Sequence, residues 1–302
     1  MKMIHLSMAV AIFLCCSSGT ASAQVKPAQT QLRILEQEVV KSDILKKNVH
    51  YTVYLPPDYY TADRSYPVVY LLHGYTDDNT GWLQFGEINR IADKAIEEGT
   101  IPPMIIIMPN ADSSWYINAY DGKESYEDFF FKEFLPAVEE KFRIRSEKRY
   151  RGIAGLSMGG YGTLVYALKH PDLFAAAAPL SAAVFTDESM KGMPDHSWEL
   201  TFAQLYGRNL KDADRLTAAW YANSPFKLIE QKSTEELSKV RYWIDCGDDD
   251  HLSEGNCLLH IALAHKGVAH EFRVRDGNHN WTYWRTGITD ALQFIGDSFR
   301  QK

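Results

Sequence analysis

Short apolar runs alternate with amphipathic stretches along most of this chain. Val68-Val69-Tyr70-Leu71-Leu72 and Ile105-Ile106-Ile107 are continuously apolar, the pattern of strands buried on both sides. The clearest strands are expected at residues 49–55, 68–72, 104–108, 152–156, 174–180, 240–246 and 271–274, each short, apolar and rich in β-formers. Helical periodicity fills the gaps. Phe130, Phe134, Val138 and Phe142 form one i+4 stripe, and Ile288, Leu292, Ile295 and Phe299 another; both are expected to face the core. Ser125 with Asp128 reads as a capping box ahead of the first stripe, and Pro136 inside it is expected to kink or shorten that helix. This alternation predicts an α/β fold, with a mostly parallel central sheet and helices on both faces.

One connection breaks the rhythm. Residues 183–239 separate two strands by a stretch carrying Trp198, Phe202, Tyr206, Trp220 and Tyr221. A connection this long is expected to be a helical, lid-like insertion that walls a pocket. No repeat or low-complexity tract interrupts residues 31–302, so one catalytic-sized domain, 24–302, is expected.

Composition supports a packed globule. Of 302 residues, 45% are hydrophobic and 24% charged, with 12 prolines, which excludes a disordered or fibrous chain. The net charge of −7 argues against a nucleic-acid partner, which needs a basic face. At the N-terminus, Lys2 precedes an apolar run from Met8 to Cys16, and Ala21-Ser22-Ala23 closes the segment. Residues 1–23 therefore read as a secretory signal cut before Gln24. The run is much shorter than the roughly 20 residues that span a bilayer, so no membrane anchor is expected, and the protein is expected to be secreted or periplasmic. Two cysteines remain beyond the signal, Cys246 and Cys257; they are read as two buried thiols, with a disulfide as the alternative.

The strongest chemical signal is Gly155-Leu156-Ser157-Met158-Gly159. It lies between an expected strand and an expected helix, where a sharp turn would bring side chains two positions either side of the serine into collision. Glycines there remove the clash and leave the Ser157 hydroxyl projecting from the sheet edge as a nucleophile. A serine needs a base and an orienting acid, and on such a turn these follow in the order acid, then base. Of the seven histidines after Ser157, His260 and His265 fall in a helical pattern and His270 begins a strand. His279, in Asp276-Gly277-Asn278-His279-Asn280-Trp281, occupies a loop after the last strand and is the expected base. The acid is expected just beyond the preceding strand, where Asp248, Asp249 and Asp250 are adjacent. Asp250 is preferred and Asp249 is next.

Acyl transfer also needs donors for a developing oxyanion. The backbone N–H groups of Met158 and Tyr75 are the candidates, the latter in the loop His73-Gly74-Tyr75-Thr76, where Gly74 lets the backbone approach. His73 is read as structural. No cofactor and no metal are expected.

These residues resemble the esterase D-type branch of the α/β hydrolases, which includes S-formylglutathione hydrolases, secreted feruloyl and acetyl-xylan esterases, tributyrin esterases and mycolyltransferases. The likeness covers about residues 45–298. It rests on Leu71-Leu72-His73-Gly74, Ser113-Ser114-Trp115-Tyr116, Gly155-Leu156-Ser157-Met158-Gly159-Gly160, Asp245-Cys246-Gly247 through Asp250, and Gly277-Asn278-His279-Asn280-Trp281. The resemblance implies an α/β-hydrolase fold with its insertion after the sixth strand. It also implies Ser157, Asp250 and His279 as catalytic residues, and Tyr75 with Met158 as oxyanion donors. Trp115, Tyr116 and Trp281 are candidate substrate-binding aromatics, since aromatic faces suit sugars and phenolic acids; Trp284 stands nearby in sequence. The expected partner is an ester substrate, with feruloyl or acetyl esters of a plant cell-wall oligosaccharide foremost. A generic short-chain carboxylesterase, an acyltransferase and a non-catalytic carbohydrate-binding protein are the alternatives.

Overall fold

The architecture follows from strands that alternate their side chains between two apolar layers. A computed structural model describes residues 32–300; the expected signal at 1–23 lies outside them. Eight strands form one sheet, β1 (Ile34–Lys41), β2 (Asn48–Tyr54), β3 (Val68–Leu72), β4 (Ile105–Pro109), β5 (Arg151–Leu156), β6 (Ala176–Leu180), β7 (Arg241–Gly247) and β8 (His270–Arg275). Their order across the sheet is β1-β2-β4-β3-β5-β6-β7-β8. β1 and β2 run antiparallel, and every pairing from β4 to β8 is parallel.

Along β3, Val68, Tyr70 and Leu72 enter one buried cluster while Val69 and Leu71 enter the other. This period of two, apolar on both faces, is what a covered parallel sheet requires. Five helices flank the sheet: α1 (Ile88–Glu97), α2 (Leu135–Lys141), α3 (Met158–Lys169), α4 (Ser253–His265) and α5 (Trp281–Arg300). Residues of α2, α3 and α4 fill one cluster, and residues of α1 and α5 fill the other. The stripe Ile288, Leu292, Ile295 and Phe299 is buried, as expected.

Two local expectations are corrected and one is refined. Ser125 makes no side-chain cap bond; the Asp128 N–H instead donates to Asn118 Oδ1. Pro136 does shorten its α-helix, but from the start and not from the interior: a π-helical turn, Phe130–Phe134, precedes it and places Pro136 in the first turn of α2, where a missing N–H is tolerated. Cys246 is buried but Cys257 is exposed, and both are unpaired.

The insertion leaves β6 and returns at β7. It carries six short helices, Asp187–Gly192, Asp195–Thr201, Ala203–Tyr206, Ala218–Asn223, Pro225–Gln231 and Thr234–Leu237. Its large aromatics are buried partly against one another and partly against Trp115 and Tyr161 of the main body. Trp198, Phe202 and Trp220 are all buried, with the Trp198 indole donating to Gly207 O and that of Trp220 to Asp187. Arg215 is buried among carbonyls of Leu210, Met190, Lys191 and Met193, with Asp195 on its guanidinium.

Parallel register brings strand ends together. Leu72 pairs with Gly155, Leu156 with Leu180, and Leu180 with Asp245. The loops after β3, β5, β6 and β7 therefore open at one edge of the sheet, where ligands of open α/β sheets bind.

Candidate active site

Ser157 stands between β5 and α3 with φ 54° and ψ −115°, a conformation that costs on the order of 1–3 kcal/mol and persists only where surroundings enforce it. The flanking glycines show how. A Cβ on Gly155 would lie 2.5 Å from Gly159 O, and one on Gly159 would lie 2.4 Å from Leu72 O. The backbone is locked from both sides, since Ser157 N–H donates to Leu180 O and Ala183 N–H donates to Ser157 O, each at 3.0 Å. The serine thus sits at the N-terminus of a 12-residue helix, where the dipole favours negative charge.

His279 reaches this serine from the loop after β8. Ser157 Oγ lies 2.9 Å from His279 Nε2, and His279 Nδ1 lies 2.8 Å from Asp250 Oδ2. A carboxylate only accepts, so Nδ1 carries the proton toward Asp250 and Nε2 accepts from the serine hydroxyl. Burial pushes the Asp250 carboxyl up, but the imidazole, the Leu252 N–H and the Ser181 hydroxyl outweigh it and hold it below its ordinary range. Leu252 N–H donates to the other carboxylate oxygen at 2.8 Å.

The neighbouring aspartates have different work. Asp248 Oδ1 accepts from the N–H groups of Asp249 and Gly277, and Asp249 N–H donates to Gly277 O. These bonds tie the acid loop to the His279 loop. Where the same two strands run out, Arg275 grips buried Asp245 through two bonds of 2.8 and 2.9 Å. Asn280 then starts α5 by accepting from Tyr283 N–H.

The loop after β3 faces the serine. A Cβ on Gly74 would meet Leu156 Cδ1 at 2.7 Å and Ser157 Cβ at 3.7 Å, so a side chain there would have to displace Leu156 beside the serine. Tyr75 N–H follows it, and Met158 N–H is among the first of α3, which have no intrahelical partner. His73 is buried with Nδ1 2.8 Å from Gly74 O and Nε2 accepting from Ala111 N–H. Burial lowers its pKa, so the ring is a neutral strut.

A cleft of about 400 Å³ lies over Ser157, lined by Tyr75, Thr76, Asp77, His279, Trp281 and Trp284 among others. Burial, with Asp78 adding to it, raises the pKa of Asp77. Trp281 lines this cleft as expected by position and packs beside exposed Phe85 at 5.9 Å. Trp284 meets His279 edge-on at 4.9 Å and donates to Ser181 Oγ.

Trp115 and Tyr116 are a correction to the expected substrate-binding set. Both are buried and neither lines the cleft. Tyr116 lies against Gly162 and donates to His73 O at 3.0 Å, whereas Trp115 packs among Tyr75, Tyr161 and Phe202. Both have positive φ, 54° and 62°, which turns the rings inward beneath the β3 loop.

Two residues near the triad carry no clear mark in the sequence. Ser181, directly after β6, is placed by its N–H to Asp245 O. His251 sets its ring 4.7 Å from that of His279, and adjacency to Asp250 in sequence is its only signal. Asp250, His251 and His279 bring ligand-type atoms within 4.8 Å, as do exposed Asp248, Asp249 and Asp276. In the first group both His279 nitrogens and both Asp250 carboxylate oxygens are engaged in the bonds above. Among the described residues no helix is long and apolar enough to cross a membrane.

The Esterase family model matches residues 42–295. The chain belongs to this family. It is similar to an esterase of Mycobacterium tuberculosis, 30% identical over 245 residues that make up 75% of this chain and 51% of that protein. It thus spans about half the length of that relative. It is also similar to an acetyl esterase of Caldicellulosiruptor saccharolyticus, 26% identical over 84% of this chain and 95% of that one. Among solved structures, a ferulic acid esterase superposes with a TM-score of 0.74 at 32% identity, covering 88% of this chain and 98% of that one. The fold of this Esterase-family chain is accordingly that of an α/β hydrolase.

Proposed function

We infer that this chain hydrolyses carboxylic esters through an acyl-enzyme on Ser157. The observation that carries the reading is the continuous hydrogen-bond chain Ser157–His279–Asp250, at 2.9 and 2.8 Å, at the floor of an open cleft. Ser157 Oγ attacks the ester carbonyl while His279 Nε2 takes its proton. Asp250 holds the tautomer and stabilises the imidazolium that forms. The carbonyl oxygen, now anionic, accepts from the N–H groups of Met158 and Tyr75 at the positive end of α3. His279 then protonates the departing alcohol, and water repeats the sequence on the acyl-serine.

The substrates in this reading are feruloyl or acetyl esters of plant polysaccharide. The similarity to an acetyl esterase and a ferulic acid esterase supports it, and so do Trp281 and Phe85, whose rings form a ledge beside the cleft suited to a sugar face. Export is part of the reading, with residues 1–23 removed as a signal; N-terminal sequencing of protein from the medium or periplasm tests it. The activity is tested with p-nitrophenyl acetate, p-nitrophenyl butyrate, methyl ferulate and acetylated xylan, alongside fluorophosphonate labelling mapped by mass spectrometry. Turnover with the label on Ser157 is expected; a label elsewhere, or no turnover of any ester, contradicts the mechanism.

A further inference from the structure

His251 packs against the catalytic base, and the mechanism above gives it no task. Its ring stands edge-on to that of His279 with centroids 4.7 Å apart, and its Nδ1 lies 3.5 Å from Asp250 Oδ1. That is too long for a firm hydrogen bond, so the imidazole lone pair stays available. The His251 side chain is 70% exposed, whereas that of Asp250 is buried. It also lines a cavity of about 390 Å³ between the start of the insertion and α4. A small solute therefore reaches the back of the triad without passing through the cleft over Ser157.

We propose that Asp250, His251 and His279 form an inhibitory zinc site, in which the ion takes the place of the proton that His279 shares with Asp250. The proposal rests on the ester-hydrolase reading and adds a means of regulating the same site. Two imidazoles and a carboxylate are a donor set that zinc accepts tetrahedrally, with water in the fourth position. Ligand atoms of all three residues already lie within 4.8 Å of one another. Tetrahedral bonds of about 2.0–2.1 Å set ligand atoms roughly 3.3 Å apart. The 3.5 Å separation of His251 from Asp250 is close to that spacing. The 2.8 Å contact of His279 Nδ1 with Asp250 has to open by only roughly half an ångström.

On binding, His279 Nδ1 gives its proton to solvent and forms a bond to zinc, while the ion sheds a water for each protein ligand. A ring that carries the ion no longer takes the Ser157 proton, and the Asp250 charge is neutralised by the metal. Binding and catalysis exclude each other, because both need His279 Nδ1 and the Asp250 carboxylate. The exposed group Asp248, Asp249 and Asp276 offers carboxylates alone and, without an imidazole, competes poorly for zinc.

The test reads zinc inhibition of p-nitrophenyl acetate hydrolysis in wild type, His251→Ala and His251→Gln, each against its own zinc-free rate. Wild type is expected to be inhibited and to recover on addition of EDTA. Both variants are expected to need at least about 100-fold more zinc for half-inhibition, since losing a ligand costs more than the roughly 10–100-fold lost with a partner hydrogen-bonded to one. A wild type insensitive to millimolar zinc, or variants as sensitive as wild type, overturns the proposal. Calorimetric titration of zinc chloride into Ser157→Ala, with and without His251→Ala, reads the site without catalysis. A binding event with proton release that His251→Ala removes supports the site, whereas an isotherm that His251→Ala leaves unchanged overturns it. A wild-type protein inactive on every ester defeats the ester-hydrolase reading instead, and the titration then decides the zinc site separately.

Discussion

The hydroxyl of Tyr116 donates to the carbonyl of His73 at 3.0 Å, so a residue from the loop after β4 props the loop that carries Tyr75. Above it, His73 binds Gly74 O and Ala111 N–H. The backbone that offers a donor to the oxyanion is therefore braced by side chains that never meet substrate. Tyr116→Phe removes the brace without changing the packing. It is expected to lower stability by about 1 kcal/mol, the usual net value of one hydrogen bond, and to lower kcat about 10-fold while KM stays near wild type. Loss of a complete oxyanion donor costs more, about 10²–10³. Steady-state kinetics and urea denaturation measure both, and an unchanged kcat would show that the loop holds its place unaided.

Asp250 and Asp249 are neighbours in sequence with opposite expected outcomes. Asp250→Asn turns the acceptor that orients His279 into an amide and is expected to lower kcat about 10³–10⁴-fold. Asp249→Asn is expected to remain within a few-fold of wild type, because only its backbone ties the loops. Steady-state kinetics on p-nitrophenyl acetate separates the two, and a crippled Asp249→Asn would move the acid by one residue.

The same carboxylate sets a pH dependence of stability. Its folded pKa is depressed below the ordinary 3.8 by His279, Leu252 N–H and Ser181 acting against burial. Its contribution is thus present above the unfolded value, near pH 4, and is lost as pH falls through the lower folded value. The stability difference between wild type and Asp250→Asn is expected to shrink steadily below pH 4. Denaturation across pH 2–6 measures it, and a difference that grows with acidity reverses the sign.

Away from the site, Arg151 and Glu139 form a pair with side chains only 5% and 9% exposed, joined by two bonds of 2.8 and 2.9 Å. Tyr70 also donates to Glu139, and Arg151 binds the carbonyls of Leu173 and Ser146. Arg151→Met strands a buried carboxylate and is expected to cost about 3–5 kcal/mol, read from chemical denaturation. A cost below about 1 kcal/mol would mean that water replaces the guanidinium on Glu139.

The two cysteines separate by reactivity. Burial pushes the Cys246 thiol up to about 12, whereas Cys257 is exposed on α4. Since the thiolate is the reactive form, iodoacetamide is expected to alkylate Cys257 in the folded protein and to reach Cys246 only after denaturation. Peptide mapping distinguishes them.

The central sheet is legible in the sequence because buried parallel strands are apolar on both faces and leave uninterrupted runs such as 68–72 and 105–107. The edge strand β1 is not. Ile34–Lys41 carries Glu36, Gln37 and Glu38 on a half-exposed edge with an irregular register, so neither a run nor a clean alternation marks it. At the site, Ser157, Asp250 and His279 are readable from turn chemistry and strand ends, and their contacts depend on parallel register. Trp115 and Tyr116 mislead because placement on a strand-end loop does not tell which way a ring turns. Their positive φ, invisible in sequence, decides it. His251 and the cavity beside it are invisible for a related reason, since they arise where the insertion folds back onto α4.

The most direct test of the catalytic mechanism is ester turnover by Ser157→Ala. The fold is expected to survive, because the strained turn is held by Gly155, Gly159 and backbone bonds from Ala183 and to Leu180 rather than by the hydroxyl. With thermal unfolding unchanged, kcat on p-nitrophenyl acetate is expected to fall by about 10⁴-fold or more, as when a triad acting as one unit loses its nucleophile. A folded Ser157→Ala protein that hydrolyses the ester near the wild-type rate would contradict it.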